Sequence, residues 1–195
     1  MKQFFTIIAL LIVSLVNAQS TRKIIKDFDG DKWIDTVFID SEAKKLFSVL
    51  SSNNYQRVSS FKIRSLNFGN TLVDTKDGFE FWNDYDRSGW INTFTYNPKE
   101  KKMQLIKISR TDYDLSSTTY GEAVRDGSGK SSINLLTNTY IGDFYYVKND
   151  KLNKLPTIKA TMVFTDTYLY CFSDQINFDF EKQCVELYEK AKKEQ

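Results

Sequence analysis

The sequence predicts a mainly β protein: an antiparallel β-rich single domain, propeller-like or a sandwich or barrel, with one C-terminal α-helix. Three observations carry this. Aromatic-rich runs, with 15% aromatic residues overall, alternate with polar turn signals along most of the chain. The stretch 27–46 recurs, in altered form, at 84–103. Only the tail, NFDFEKQCVELYEKAKKEQ, places apolar residues at helical spacing.

The first segment is set apart from that fold. Lys2 precedes an apolar run at 4–16, and Val16-Asn17-Ala18 presents apolar and small residues ahead of Gln19. This is the layout of a cleavable secretory signal peptide over 1–18. The run is shorter than the ~20 apolar residues a membrane helix needs, and no later run is longer. The expectation is a periplasmic or secreted protein, without a transmembrane segment after cleavage, whose residues 19–195 form one domain.

The strands follow in order: 36–40, 46–51, 55–63, 71–73, 79–82, 93–96, 103–109, 133–136, 139–147 and 157–164. Each is β-prone and bounded by turn chemistry, such as Asn53-Asn54, Lys76-Asp77-Gly78, Asn97-Pro98 and Lys148-Asn149-Asp150. In the tail, Phe180, Cys184, Leu187, Tyr188 and Ala191 share one helical face. Asp179 is a candidate cap, and Lys190, Lys192 and Lys193 suit the negative end of the helix dipole. An exported chain with one cysteine pair suggests a disulfide between Cys171 and Cys184, against the alternative of two free thiols. Such a bridge would staple the helix to the preceding strand.

Composition excludes several chemistries. There are 27 Lys and Arg, one of them Lys2 in the leader, against 25 Asp and Glu. No broad positive field favours nucleic acid. There is no histidine, which removes Ser-His-Asp and Cys-His schemes and His-ligated zinc. The stretch GSGKSS has Val124 where a phosphate loop needs glycine, and a β-type run where the helix should follow.

The repeat aligns DFDGDKWIDTVFIDSEAKKL (27–46) with DYDRSGWINTFTYNPKEKKM (84–103) without a gap. Asp27/Asp84, Asp29/Asp86, Trp33/Trp90, Ile34/Ile91, Thr36/Thr93, Lys44/Lys101 and Lys45/Lys102 are identical. The unit reads as loop, strand, basic turn, strand. A third echo, DGSGKSSIN at 126–134, keeps only fragments of it.

The first copy opens on Asp27, Asp29, Asp31 and Asp35, at positions one, three, five and nine. Alternating carboxylates on a tight loop deliver the oxygen ligands that calcium takes, and the Trp33 carbonyl at position seven can add another. An EF-hand is excluded, because Lys32 stands at position six and Phe38 at twelve. A bound cation would also offset the mutual repulsion of the four carboxylates. The expected role is structural, closing the loop so that Trp33 and Ile34 enter the core.

This D-x-D-G-D-x-x-x-D pattern ahead of a strand resembles the calcium loops of FG-GAP and VCBS-type repeats. The resemblance covers only the two aligned stretches, 27–46 and 84–103. It implies Asp27, Asp29, Asp31 and Asp35 as ligands of a structural Ca2+. In the second copy it implies Asp84, Asp86, Ser88 and Asn92, with half the formal carboxylates and with Gly89 at the turn position. Lys32 departs from the glycine usual in these loops, and a propeller needs at least four blades where two or three units are found. The stretch DGSGKSSINLLTNTYIGDFYYV is similar to segments of uncharacterised exported bacterial proteins, which implies no activity.

These features predict an exported, non-enzymatic binding protein with a protein or cell-surface glycan partner and a structural calcium loop. The alternative is a periplasmic inhibitor or immunity protein against a cell-wall-lytic enzyme. The polar loop at 114–132 could serve as the contact surface in either case. A third reading is a carboxylate-dependent glycoside hydrolase, using Glu80, Asp84 and Asp86 beside Trp82 and Trp90.

Overall fold

A computed structural model describes residues 22–195, apart from 65, 67, 68, 86 and 87. The expected leader at 1–18, and Asp86 of the second loop, lie outside the described residues. Among the described residues the fold is mainly β, with two antiparallel sheets and a long C-terminal helix, and neither sheet closes into a barrel.

The first sheet is a four-stranded meander in the order β1-β2-β3-β4: β1 (Lys23–Lys26), β2 (Asp35–Asp40), β3 (Lys45–Val49) and β4 (Arg57–Ser59). β2 alternates buried and half-buried residues, so Asp35, Val37 and Ile39 face the core. The second sheet follows the order β11-β10-β9-β8-β7-β6-β5, with β12 also paired to β10. Its strands are β5 (Thr71–Thr75), β6 (Gly78–Tyr85), β7 (Ser88–Asn97), β8 (Lys102–Asp112), β9 (Gly129–Asn134), β10 (Thr139–Lys148), β11 (Lys151–Lys154) and β12 (Ile158–Thr161). The phosphate-loop look-alike at 127–132 thus runs into the strand β9 from Gly129 onward.

The two sheets share one core. Ile24, Val37 and Leu46 of the first cluster with Leu72, Phe79, Phe81 and Phe94 of the second. Phe79 stacks on Phe94 with ring centroids 5.0 Å apart, and Phe28 meets Phe79 edge-on at 6.0 Å.

The repeat is a repeated hairpin. In the first copy Val37, Phe38, Ile39 and Asp40 pair with Ser48, Phe47, Leu46 and Lys45. In the second, the aligned residues Phe94, Thr95, Tyr96 and Asn97 pair in the same register with Leu105, Gln104, Met103 and Lys102. The turns match too. Asp40 Oδ1 accepts the Ala43 N–H at 2.9 Å, and Asn97 Oδ1 accepts the N–H groups of Lys99 and Glu100 at 3.0 and 3.1 Å. Lys44 and Lys101 both adopt the left-handed conformation, with φ of 54° and 53°. β7–β8 carries an irregularity at Thr93/Phe94, beyond which the two copies part.

The helix spans Gln175–Lys193, starting slightly ahead of the tail pattern, which began at Asn177. Asp174 stands at its N-cap, and Asp179 sits inside the helix, accepting a bond from the Gln175 side chain at 2.9 Å. Phe180 meets Trp90 of β7 at 6.2 Å and Tyr140 of β10 at 6.0 Å, both edge-on. This clamps the helix across β7–β10.

The expected disulfide is corrected: Cys171 and Cys184 are free thiols. Cys171 lies in a 3-10 turn before the helix, where its Sγ bonds to the backbone of Tyr168. Cys184 sits well inside the helix, ~14 Å along the axis from Gln175 at about 1.5 Å per residue. Its sulfur faces Ser131 of β9 at 3.7 Å. Among the described residues no helix is long and apolar enough to cross a membrane.

Candidate metal centre

The segment 27–34 joins β1 to β2 as a tightly wound acidic loop. Its winding is set by short-range side-chain acceptors. Asp27 takes the N–H of Gly30 on Oδ1 at 2.7 Å and that of Lys32 on Oδ2 at 2.9 Å. Asp29 Oδ1 takes the Asp31 N–H at 3.3 Å, and Asp31 Oδ1 takes the Trp33 N–H at 2.8 Å. Gly30 and Lys32 reverse the chain at φ of 81° and 74°. Glycine adopts that conformation freely, whereas Lys32 does so at a steric cost.

Asp35, the first residue of β2, is fully buried. Its Oδ2 accepts the Phe28 N–H at 2.8 Å and its Oδ1 the Ser51 N–H at 2.7 Å. One carboxylate therefore pins the start of the loop to the turn after β3. That turn closes the far wall: the Ser51 hydroxyl reaches Asp31 Oδ2 at 2.7 Å, and the Ser52 N–H reaches Asp29 Oδ2 at 3.2 Å.

Carboxylate oxygens of Asp27, Asp29 and Asp35 converge to within 4.8 Å of one another. Asp31 stands outside this triad, turned to Ser51 and the Trp33 N–H. An all-oxygen donor set suits a hard divalent cation. Each bonded carboxylate oxygen retains a lone pair for a metal. Burial pushes the Asp29 carboxyl up, but bonds from Ser52, Asp31 and Ser51 outweigh it and hold the group below its ordinary value. Asp29 is therefore ionised at neutral pH.

Trp33 and Ile34 do not enter the core; they are 66% and 58% exposed. The reversal at Lys32 delays the strand until Asp35, so strand alternation never extends back to Trp33. Phe28 fills the core instead. In the second copy β7 begins at Ser88, so Trp90 is already mid-strand and points inward.

The second copy forms the β6–β7 hairpin. The Ser88 hydroxyl contacts Asp112 Oδ1 at 3.4 Å and Arg110 at 3.3 Å. Asn92 exchanges amide bonds of 2.7 and 3.2 Å with Asn177 of the helix. Desolvation raises the Asp84 carboxyl, which lies beside the backbone of Gly69 and Gly89. Asn92 occupies the position of Asp35 in the repeat and is likewise fully buried, so each copy uses this side chain to tie in a distant segment.

Of the residues considered for a sugar site, Glu80 accepts the Trp82 indole N–H at 2.8 Å, and Trp90 is buried beneath Arg110. The stretch 114–132 is only partly a loop: it holds an α-helical turn at Ser117–Tyr120 and a 3-10 turn at Glu122–Val124 with Val124 buried, and from Gly129 it is strand β9. Ser51 and Ser52 were not legible as loop partners. They lie beyond two whole strands, and LSSN reads only as a turn.

Comparison with family models, curated proteins and solved structures finds no match.

Proposed function

We propose that this chain is an exported, non-enzymatic binding protein whose acidic loop takes up calcium as a structural staple. The observation that carries the reading is the convergence of Asp27, Asp29 and Asp35 within 4.8 Å on a loop already wound by its own N–H donors. In this reading the ion links the strand end at Asp35 to the loop and so keeps Phe28 in the core. Asp31 and the Trp33 carbonyl would contribute through water or a small rearrangement. The absence of histidine and a Cys184 thiol raised to about 11 by burial favour binding over catalysis. The leader expected at 1–18 would bring the chain to where calcium is abundant, which supports this reading. Its partner would be a protein or a cell-surface glycan.

Thermal unfolding with and without calcium is the test. An affinity of ~10⁻⁴–10⁻³ M suits an extracellular site, and a tenfold excess over Kd stabilises by about 1.4 kcal/mol. Calcium should raise the melting temperature of the unmutated chain. Asp29→Ala should abolish that rise, and Asp86→Ala should leave most of it. An unmutated protein indifferent to calcium would reduce the loop to an acidic turn.

A further inference from the structure

On other elements than the acidic loop, a cavity of about 430 Å³ lies between the C-terminal helix and the strands β8–β10. That volume suits a small-molecule site. Its apolar side is aromatic: Phe144, Tyr146 and Tyr188 line it, and the Phe144 and Tyr188 rings meet at 5.4 Å.

The charges there are unequal. Asp112, Asp114 and Glu189 line the cavity against Arg110 and Lys192. Arg110 is already neutralised. Asp112 takes its two amino groups at 2.9 and 2.5 Å, and Glu181 takes a further bond at 2.7 Å. An entering anion would therefore meet Asp114 and Glu189 with only Lys192 to offset them. A cation meets the opposite balance. The rings already receive one, since the Lys192 ammonium stands 5.6 Å over the Tyr188 ring. Arg110 itself is buried and bound to its two carboxylates, so it offers no free charge to a ligand.

We propose that this cavity binds a small organic cation, with its apolar body against Phe144, Tyr146 and Tyr188 and its ammonium between the Asp114 and Glu189 carboxylates. Lys192 is the internal occupant that the ligand displaces. The proposal does not rest on the calcium loop, and neither result decides the other.

The purified chain is titrated at neutral pH with phenethylamine, which is protonated, and with phenylpropionate, an anion of similar shape. Binding is followed by calorimetry and by the ring resonances of Phe144 and Tyr188. Phenethylamine should bind saturably, about tenfold or more tighter than phenylpropionate, a difference of about 1.4 kcal/mol. Asp114→Asn with Glu189→Gln should weaken it about tenfold, while Lys192→Ala should tighten it. A ligand held by positive charge would respond to Lys192→Ala in the opposite sense. Equal or tighter binding of phenylpropionate overturns the proposal, as does a failure of phenethylamine to shift the two rings at millimolar concentration.

Discussion

At the scale of single residues, two buried carboxylates do opposite things. Asp35 is a backbone fastener, and its two oxygens satisfy N–H groups that have been taken out of water. Leaving a buried donor unsatisfied costs ~1–3 kcal/mol. Asp35→Ala should therefore lower stability by about 2–4 kcal/mol in chelator, read by denaturant unfolding, whereas Asp31→Ala should cost less than about 1 kcal/mol. Asp112 is held against its preference. Burial raises its carboxyl from 3.8 to about 6, more than the Arg110 charge lowers it. The folded chain then binds this proton more tightly than the unfolded one. The stability this group contributes is full below about pH 4 and is lost as pH rises through about 6. The difference is worth roughly 3 kcal/mol. Asp112→Asn should flatten the unfolding free energy across pH 4–7 relative to the unmutated chain. An unchanged slope would show that Asp112 titrates normally.

At the scale of elements, the repeat is a hairpin with a shared turn. Lys44 and Lys101 occupy equivalent left-handed positions. A side chain there costs ~1–2 kcal/mol, while glycine loses ~0.5–1 kcal/mol more chain entropy on folding. Lys44→Gly and Lys101→Gly should each stabilise by about 0.5–1 kcal/mol, by similar amounts and additively, as read from unfolding midpoints. Unequal effects would mean that the two turns are not energetic equivalents. The strand-turn-strand unit was legible because the alignment repeated its basic turn, Lys44-Lys45 and Lys101-Lys102, whereas the pairing register came from the structure. β1 was missed because Lys23–Lys26 alternates too briefly to stand out, and it exists by pairing with β2. The strand expected at 55–63 shrinks to Arg57–Ser59, since Asn54 and Tyr55 turn left-handed, at φ of 50° and 56°.

At the scale of the whole molecule, one helix covers the face of the larger sheet, and Phe180 is its anchor. The ring is fully buried against Trp90 and Tyr140. Removing a buried phenylalanine costs ~3–5 kcal/mol. Phe180→Ala should lose that much stability and shift the Trp90 emission to the red as the helix loosens. Stability lost without a spectral change would place the damage elsewhere. The β class, the terminal helix and the repeated strand-turn-strand unit were determined by the sequence alone, because periodicity and turn chemistry are local. Which tryptophan is buried was not. Trp33 and Trp90 are identical in the alignment, yet one faces solvent and the other the core. That depends on whether the preceding chain is a reversed loop or a paired strand. Tertiary structure also decided the thiols, since packing sets Cys184 against Ser131 of β9 while Cys171 bonds to the Tyr168 backbone, and the aromatic cavity, whose walls come from segments as distant in sequence as Arg110 and Lys192. Long-range packing joined those groups, and no local pattern encodes it.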